Sequence, residues 1–260
     1  MMIDDLWLIK LKIDVKSRNP DMLLDEYIKT TKEELLSYTK VFRKGQILCR
    51  GRLGYKSYYK DVDGKTYKFK YPYFGKEIKN PPCHLSEAAR FNRDGFSYLY
   101  LSSDEKTCIA ELRLKIGSIC SIAEFRQKRD LRLLNLDNNK TLKEFLITPV
   151  CDDNRYHYKF TRFISDLIKE IGIDGIAYDS VQSNGKCFVI FDDQNFELIP
   201  YSEKMFLAKR VEYKFEEVLP EFVGDNRYMN TSGCAFSISS NKITLYGRRR
   251  TASVSWPPSS

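Results

Sequence analysis

Apolar positions along the chain switch between helical and strand spacing, and the switches outline its elements. Between residues 6 and 13 they alternate at Ile9, Leu11 and Ile13 but also cluster at Leu6, Trp7 and Leu8, which suits a strand or a short helix equally. Past Arg18, Asn19 at an N-cap and Pro20 at the first helical position predict an amphipathic helix carrying Leu23, Leu24, Tyr27, Ile28, Leu35 and Leu36. Residues 1–40 therefore read as an N-terminal helical extension. The main domain opens at residues 42–54, with a turn at Gly45 and a short strand at 46–50, Arg50 and Arg52 falling on one side. Over residues 55–80 lysines interleave with Tyr and Phe around Asp63-Gly64, the predicted tip of a hairpin. Such a composition can stack on bases; it also describes an exposed two-stranded flap, which is the preferred reading.

Pro81-Pro82 breaks the chain ahead of residues 89–113, which read as a basic loop, a tyrosine-rich strand, a turn and a helix. Ser102 with Glu105 fits a capping box, predicting a helix from about Ser103 to Arg113 with Cys108, Ile109 and Leu112 as its apolar stripe. Thr107 and Glu111, four apart, share a face beside small Ala110. Residues 114–136 suggest a short strand at 119–122, then further sheet and a connecting helix through Leu131, Leu133, Leu134 and Leu136. Helical period is clear from Tyr158 to Ile171, and Gly172 ends it. A strand at 175–180, a turn at Ser183-Asn184-Gly185 and a buried strand at 187–191 follow. Residues 212–221 suit a last strand or helix, and the Ser- and Arg-rich tail, 223–260, reads as disordered.

Composition adjusts this outline in three ways. The net charge of +8 suggests a polyanionic partner, but residues 225–260 hold five basic side chains against one acid, half of the excess. That distribution weakens the nucleic-acid reading, and nucleic acid is not the expected partner. Seven cysteines without CxxC spacing suit buried free thiols in a reducing compartment, so a cytoplasmic location is expected. No apolar run approaches the roughly 20 residues of a membrane span. With two distant histidines, and without GxxxxGK[ST], GxGxxG or GxSxG, metal, P-loop, Rossmann and nucleophile-elbow chemistries are poor fits.

What remains is a polar set spread over three segments: Arg50; Arg90, Tyr100 and Glu111; and Ser180. Arginine presents a planar fork suited to a pyrophosphate, tyrosine a flat face for a nicotinamide or adenine ring, and serine a hydroxyl. One carboxylate can bind a ribose hydroxyl or stabilise an oxocarbenium-like transition state. Singly, each has an ordinary structural explanation.

The segments FRKGQILCRGR, PPCHLSEAARFNRDGFSYLYLSSDEKTCIAELR and YKFTRFISDLIKEIGIDGIAYDSVQSNGKCFVIFD together resemble the three signature regions of the RES domain. The likeness is strongest at Arg90-Phe91-Asn92, Gly95, Leu99-Tyr100-Leu101, Thr107, and Glu111 with Arg113. RES domains are similar to ADP-ribosyltransferases and, where active, act on NAD as toxins of bacterial toxin–antitoxin pairs. The resemblance implies an α+β fold with split mixed or antiparallel sheets and flanking helices over residues 41–222. It implies NAD as substrate, no metal, and a cognate antitoxin as partner, leaving a homo-oligomer open. Arg50 and Arg90 would hold the pyrophosphate, Tyr100 would line the nicotinamide pocket, Glu111 would be the catalytic carboxylate, and Ser180 would complete the site. Lys186-Cys187 stands where the family usually has Asn, and Arg162 where Gln is common. The implied reaction is cleavage of the nicotinamide–ribose bond, with ADP-ribose passed to water, phosphate or a protein. The rival is a non-catalytic module holding nucleic acid or a partner in the same cleft or on the basic tail.

Overall fold

The computed structural model describes residues 3–147 and 157–211, and three strands within 235–255. The chain divides into two units, Met1–Val211 and Glu212–Ser260. Helix α1 (Asp5–Ser17) resolves the ambiguity at the N-terminus. Asp4 caps it by accepting from the Trp7 N–H at 2.9 Å, and the buried side is Trp7, Leu8 and Leu11, while Ile9 and Ile13 of the alternating pattern are exposed. Helix α2 (Pro20–Ser37) begins at the expected proline and buries Leu23, Tyr27, Thr31 and Leu35, a four-residue repeat along one face. Both helices share a core with α5 (His157–Glu170): Tyr27 meets Trp7 and Phe163 edge-on, at 5.7 and 5.6 Å. Gly172, at φ 89°, ends α5, its N–H bonding to the Lys169 carbonyl and that of Ile173 to Ile168.

The strands are β1 (Thr39–Phe42), β2 (Ile47–Leu53), β3 (Lys56–Val62), β4 (Lys65–Tyr71), β5 (Leu99–Ser102), β6 (Ile119–Gln127), β7 (Leu131–Asn135), β8 (Gly175–Asp179), β9 (Lys186–Ile190), β10 (Phe196–Leu198) and β11 (Lys204–Leu207). Nine of them join one mixed sheet in the order β1-β7-β8-β9-β5-β2-β6-β10, with β11 also on β6; β7–β8 is its parallel pair. The α+β class, the mixed sheet and the flanking helices expected from the sequence are all present. Where a connecting helix was expected, the leucines from Leu131 to Leu134 form β7; the helix, α4 (Lys140–Ile147), follows it.

This strand order forces the sheet to curl. β1 and β2 lie five strand steps apart, about 24 Å in a flat sheet, yet the chain from Phe42 to Ile47 spans at most about 18 Å. The curl brings Phe42 of β1 within 5.5 Å of Phe188 of β9, ring to ring, and lets Gln127 of β6 donate to the Phe42 carbonyl at 2.8 Å. One face encloses Leu48, Leu99, Leu101, Phe125, Leu133 and Phe188. The other carries α1, α2 and α5 towards one end and α3 (Glu105–Glu111) towards the other.

Strands β3 and β4 form a separate hairpin with Asp63 and Gly64 both at positive φ, the expected turn chemistry. In the second unit, β12 (Ala235–Ser239), β13 (Lys242–Tyr246) and β14 (Thr251–Ser255) pair as an antiparallel meander. The sequence reading of 223–260 as disordered does not anticipate these strands. The expected element at 212–221 lies outside the described residues.

Candidate active site

The site begins where α3 meets β2. Gly51 makes that contact possible: a Cβ there would sit 2.8 Å from both Cys108 Sγ and Leu112 Cδ1 of the α3 segment. The helix starts later than the capping box predicted. Ser102 stays in β5, paired with Cys49 and Cys187, and Asp104 is the N-cap instead. Its carboxylate accepts from the Thr107 N–H at 2.8 Å and the Thr107 hydroxyl at 2.7 Å, more than a neutral serine offers. These bonds hold the Asp104 carboxyl below its ordinary pKa, the Thr107 backbone bond first. The helix ends at Glu111, and Arg113 follows at φ 48°, a left-handed conformation that costs a non-glycine residue about 1 kcal/mol.

The same N-terminus docks the β8–β9 turn. Ser183 Oγ donates to Thr107 Oγ1 at 2.8 Å, and Gly185 packs so closely that a Cβ would lie 2.0 Å from Thr107 Oγ1. Ser180 is thereby set against Glu111. Its hydroxyl donates to Glu111 Oε1 at 2.6 Å and accepts from the N–H groups of Gln182 and Ser183, at 3.0 and 3.1 Å. Two backbone donors thus fix the direction in which the proton points.

Glu111 faces a cavity of about 270 Å³ and is the one carboxylate among its described lining residues. Aromatic walls come from Phe91, Tyr100 and Tyr178, with Phe91 and Tyr178 5.9 Å apart and tilted. Burial raises the pKa of both tyrosines, so neither ionises near neutral pH. Tyr100 donates its hydroxyl to Asn92 Oδ1 at 2.8 Å, and Asn92 in turn donates to the carbonyls of Glu87 and Phe96, each at 2.9 Å, closing the basic loop. The thiols of Cys108 and Cys187 also line the wall. Burial first, and for Cys187 also the charge of Glu111, pushes each up to about 12, which favours the protonated thiol near neutral pH.

Among the described lining residues Arg90 and Arg113 are the arginines, and neither has a carboxylate partner among the described residues. Arg90 Nη1 donates to the Leu146 carbonyl at 3.1 Å, and its guanidinium lies 5.8 Å from the Tyr158 ring centre. Arg50, by contrast, is absent from the described lining. Its backbone neighbour Gly51 is there, and strand alternation turns Arg50 to the opposite face. Its guanidinium donates to the carbonyls of Ile78 and Tyr100 at 2.9 and 3.2 Å, and burial lowers its pKa to about 10. Of the five residues singled out in the sequence, the fold brings Arg90, Tyr100, Glu111 and Ser180 together and leaves Arg50 out.

The unusual residues of the last signature region have structural partners. Lys186 joins Lys143, Asp137 and Asp179 in a ring of alternating charges with contacts of 2.5–2.8 Å, tying α4 to β8 and β9. The network grips α4 at Lys143, and Ile147, four residues further along the helix, lines the cavity. Arg162 donates from Nε to the Ala89 carbonyl at 2.8 Å, fastening the basic loop to α5. Sequence reasoning assigned no role to Tyr178 or Arg113, although Arg113 stands with Glu111 among the residues that carry the likeness to the RES domain; the structure adds its place in the cavity lining and its positive φ. Among the described residues no three His, Cys, Asp or Glu side chains are grouped to hold a metal ion, and no helix is long and apolar enough to cross a membrane.

No curated protein matches the sequence. Among solved structures, the M. tuberculosis MbcT-MbcA toxin-antitoxin complex shares 10% identity with a TM-score of 0.40, covering 68% of this chain and 92% of that one. The sequence pattern of the RES domain matches residues 63–214, more than half of the chain. That span starts downstream of Arg50 and includes Arg90, Tyr100, Glu111, Arg113 and Ser180, and on this match the chain belongs to the RES domain family.

Proposed function

We propose that the protein consumes NAD by cleaving the nicotinamide–ribose bond. The observation that carries this reading is Glu111: the one carboxylate among the described lining residues, oriented by Ser180, in an aromatic-walled cavity that Arg90 and Arg113 also line. As the glycosidic bond breaks, its electron pair leaves with the ring nitrogen, and nicotinamide departs neutral. Positive charge moves onto the ribose C1′ and ring oxygen, where a carboxylate fixed in advance stabilises it. Tyr100 and Tyr178 offer ring faces for the nicotinamide, and Arg90 with Arg113, in place of Arg50, would meet the pyrophosphate. The nucleophile that then adds at C1′, whether water, phosphate or a protein side chain, loses a proton and yields ADP-ribose, its 1″-phosphate or a modified protein.

NAD consumption is harmful to a cell, so the same reading makes the protein a toxin that a cognate antitoxin restrains. Incubating the purified chain with NAD in phosphate and in phosphate-free buffer, with mass spectrometry of the products, tests it. Nicotinamide with one of the three ADP-ribosyl products is expected; intact NAD in both buffers would refute it.

A further inference from the structure

Strands β3 and β4 project as a ribbon in which every residue from 58 to 71 is exposed. Its register places Lys56 opposite Tyr71, Tyr58 opposite Phe69, Lys60 opposite Tyr67 and Val62 opposite Lys65. These are alternate positions, so all eight side chains share one face. Tyr58, Phe69, Tyr67 and Tyr71 are between 37% and 48% exposed, and Phe74 at 46% extends the patch by stacking on Tyr58. A contiguous aromatic patch of this kind on a soluble surface marks an interaction site, and a two-stranded hairpin gains little stability of its own from it.

We propose that this face is a platform for single-stranded nucleic acid. Tyr67, Phe69 and Tyr71 recur at every second position of β4, about 6.8 Å apart, so that successive unstacked bases can each meet a ring. The rungs alternate these rings with cations: Lys56, Lys60 and Lys65 lie on the same face, and Lys68 and Lys70 on the reverse. Lys60 and Lys65 have no carboxylate partner among the described residues, whereas Lys56 is paired with Glu77. Five lysines stand against Asp61 and Asp63, and Asp61 already accepts from the Thr66 hydroxyl at 2.6 Å. An acidic polypeptide would also meet the lysines, but a base with its phosphate uses ring and cation together. A duplex keeps its bases stacked inside and would leave the rings unused. The exposed flap and the base-stacking surface, alternatives in the sequence, are here one object, and the proposal does not depend on NAD chemistry.

The test measures binding of the full chain to fluorescein-labelled oligouridylate and oligothymidylate of about 12 nucleotides, at several salt concentrations. A duplex of equal length, poly-glutamate and phosphatidylserine vesicles serve as competitors. Single strands of either sugar are expected to bind best. Tyr67→Ala with Phe69→Ala should weaken binding at least about 10-fold, leaving the salt dependence unchanged. Lys60→Ser with Lys65→Ser should flatten the slope of log K against log salt by about 1.4. Neither pair should shift the melting temperature, since all four side chains are exposed. The proposal is overturned if no single strand binds at low salt, if the Tyr67 and Phe69 changes have no effect, or if duplex, poly-glutamate or vesicles bind as tightly.

Discussion

The hydroxyl of Ser180 is fully engaged, accepting two backbone N–H groups and donating to Glu111. Ser180→Ala should therefore leave the carboxylate in place but undirected, lowering kcat about 100-fold with little change in KM, the lower end for loss of one preorganised donor. Arg113→Gln should act in the opposite way, raising KM for NAD about 10-fold or more through loss of a charge-assisted contact, with kcat nearly kept. If Arg113 does not touch substrate, KM will not move. The buried thiols give a third expectation: at pH 7 to 8 alkylation should label exposed Cys83 well before Cys108 and Cys187, which react only after unfolding. Peptide mapping checks this order. Single side chains were only partly legible beforehand. The sequence placed Arg50 and Arg52 on one side of a strand correctly, for both donate to carbonyls of the 77–78 segment. Which side faces the cavity depends on how β2 pairs and what packs on it, and a one-residue change of parity reverses the answer.

Helix α3 owes its position to close contacts at both ends. Gly51→Val should push it off β2, costing about 1–3 kcal/mol by overpacking and reducing turnover by more than the stability loss explains, since Glu111 moves with the helix; melting curves and nicotinamide release on one sample separate the two. Asp104→Ala should cost about 1 kcal/mol at neutral pH, the worth of an N-cap. The folded-state pKa of Asp104 is depressed, so its contribution is complete above the unfolded value near 3.9 and disappears as pH falls through the lower folded value. Denaturation of wild type and variant should therefore converge in acid below that range; a difference that persists there would contradict the capping role. Helix existence was readable from apolar period, whereas the cap was not: Ser102 and Asp104 are both good caps, and pairing of Ser102 within the sheet decides between them.

The sheet order could not be read from the chain, because consecutive β1 and β2 sit five steps apart and only closure of the curl brings their ends together. The segments of the site, from loop 89–92, α3 and the β8–β9 turn, meet only through that closure. The N-terminal helices lie upstream of the family match yet share a core with α5, Leu23, Tyr27 and Leu35 packing with Phe163 and Ile164. Deleting residues 1–37 should strip that core and abolish cooperative melting; a deletion that still melts sharply would make the extension dispensable. The proposed reaction itself rests on Glu111, and the most direct measurement is nicotinamide release from NAD by wild type and by Glu111→Gln, which keeps size and the Ser180 contact but removes the charge. Wild type should release nicotinamide in step with NAD loss, and the variant, with an unchanged melting temperature, at least about 100-fold more slowly. Release by the variant at the wild-type rate, or none by the wild type, would contradict the assignment.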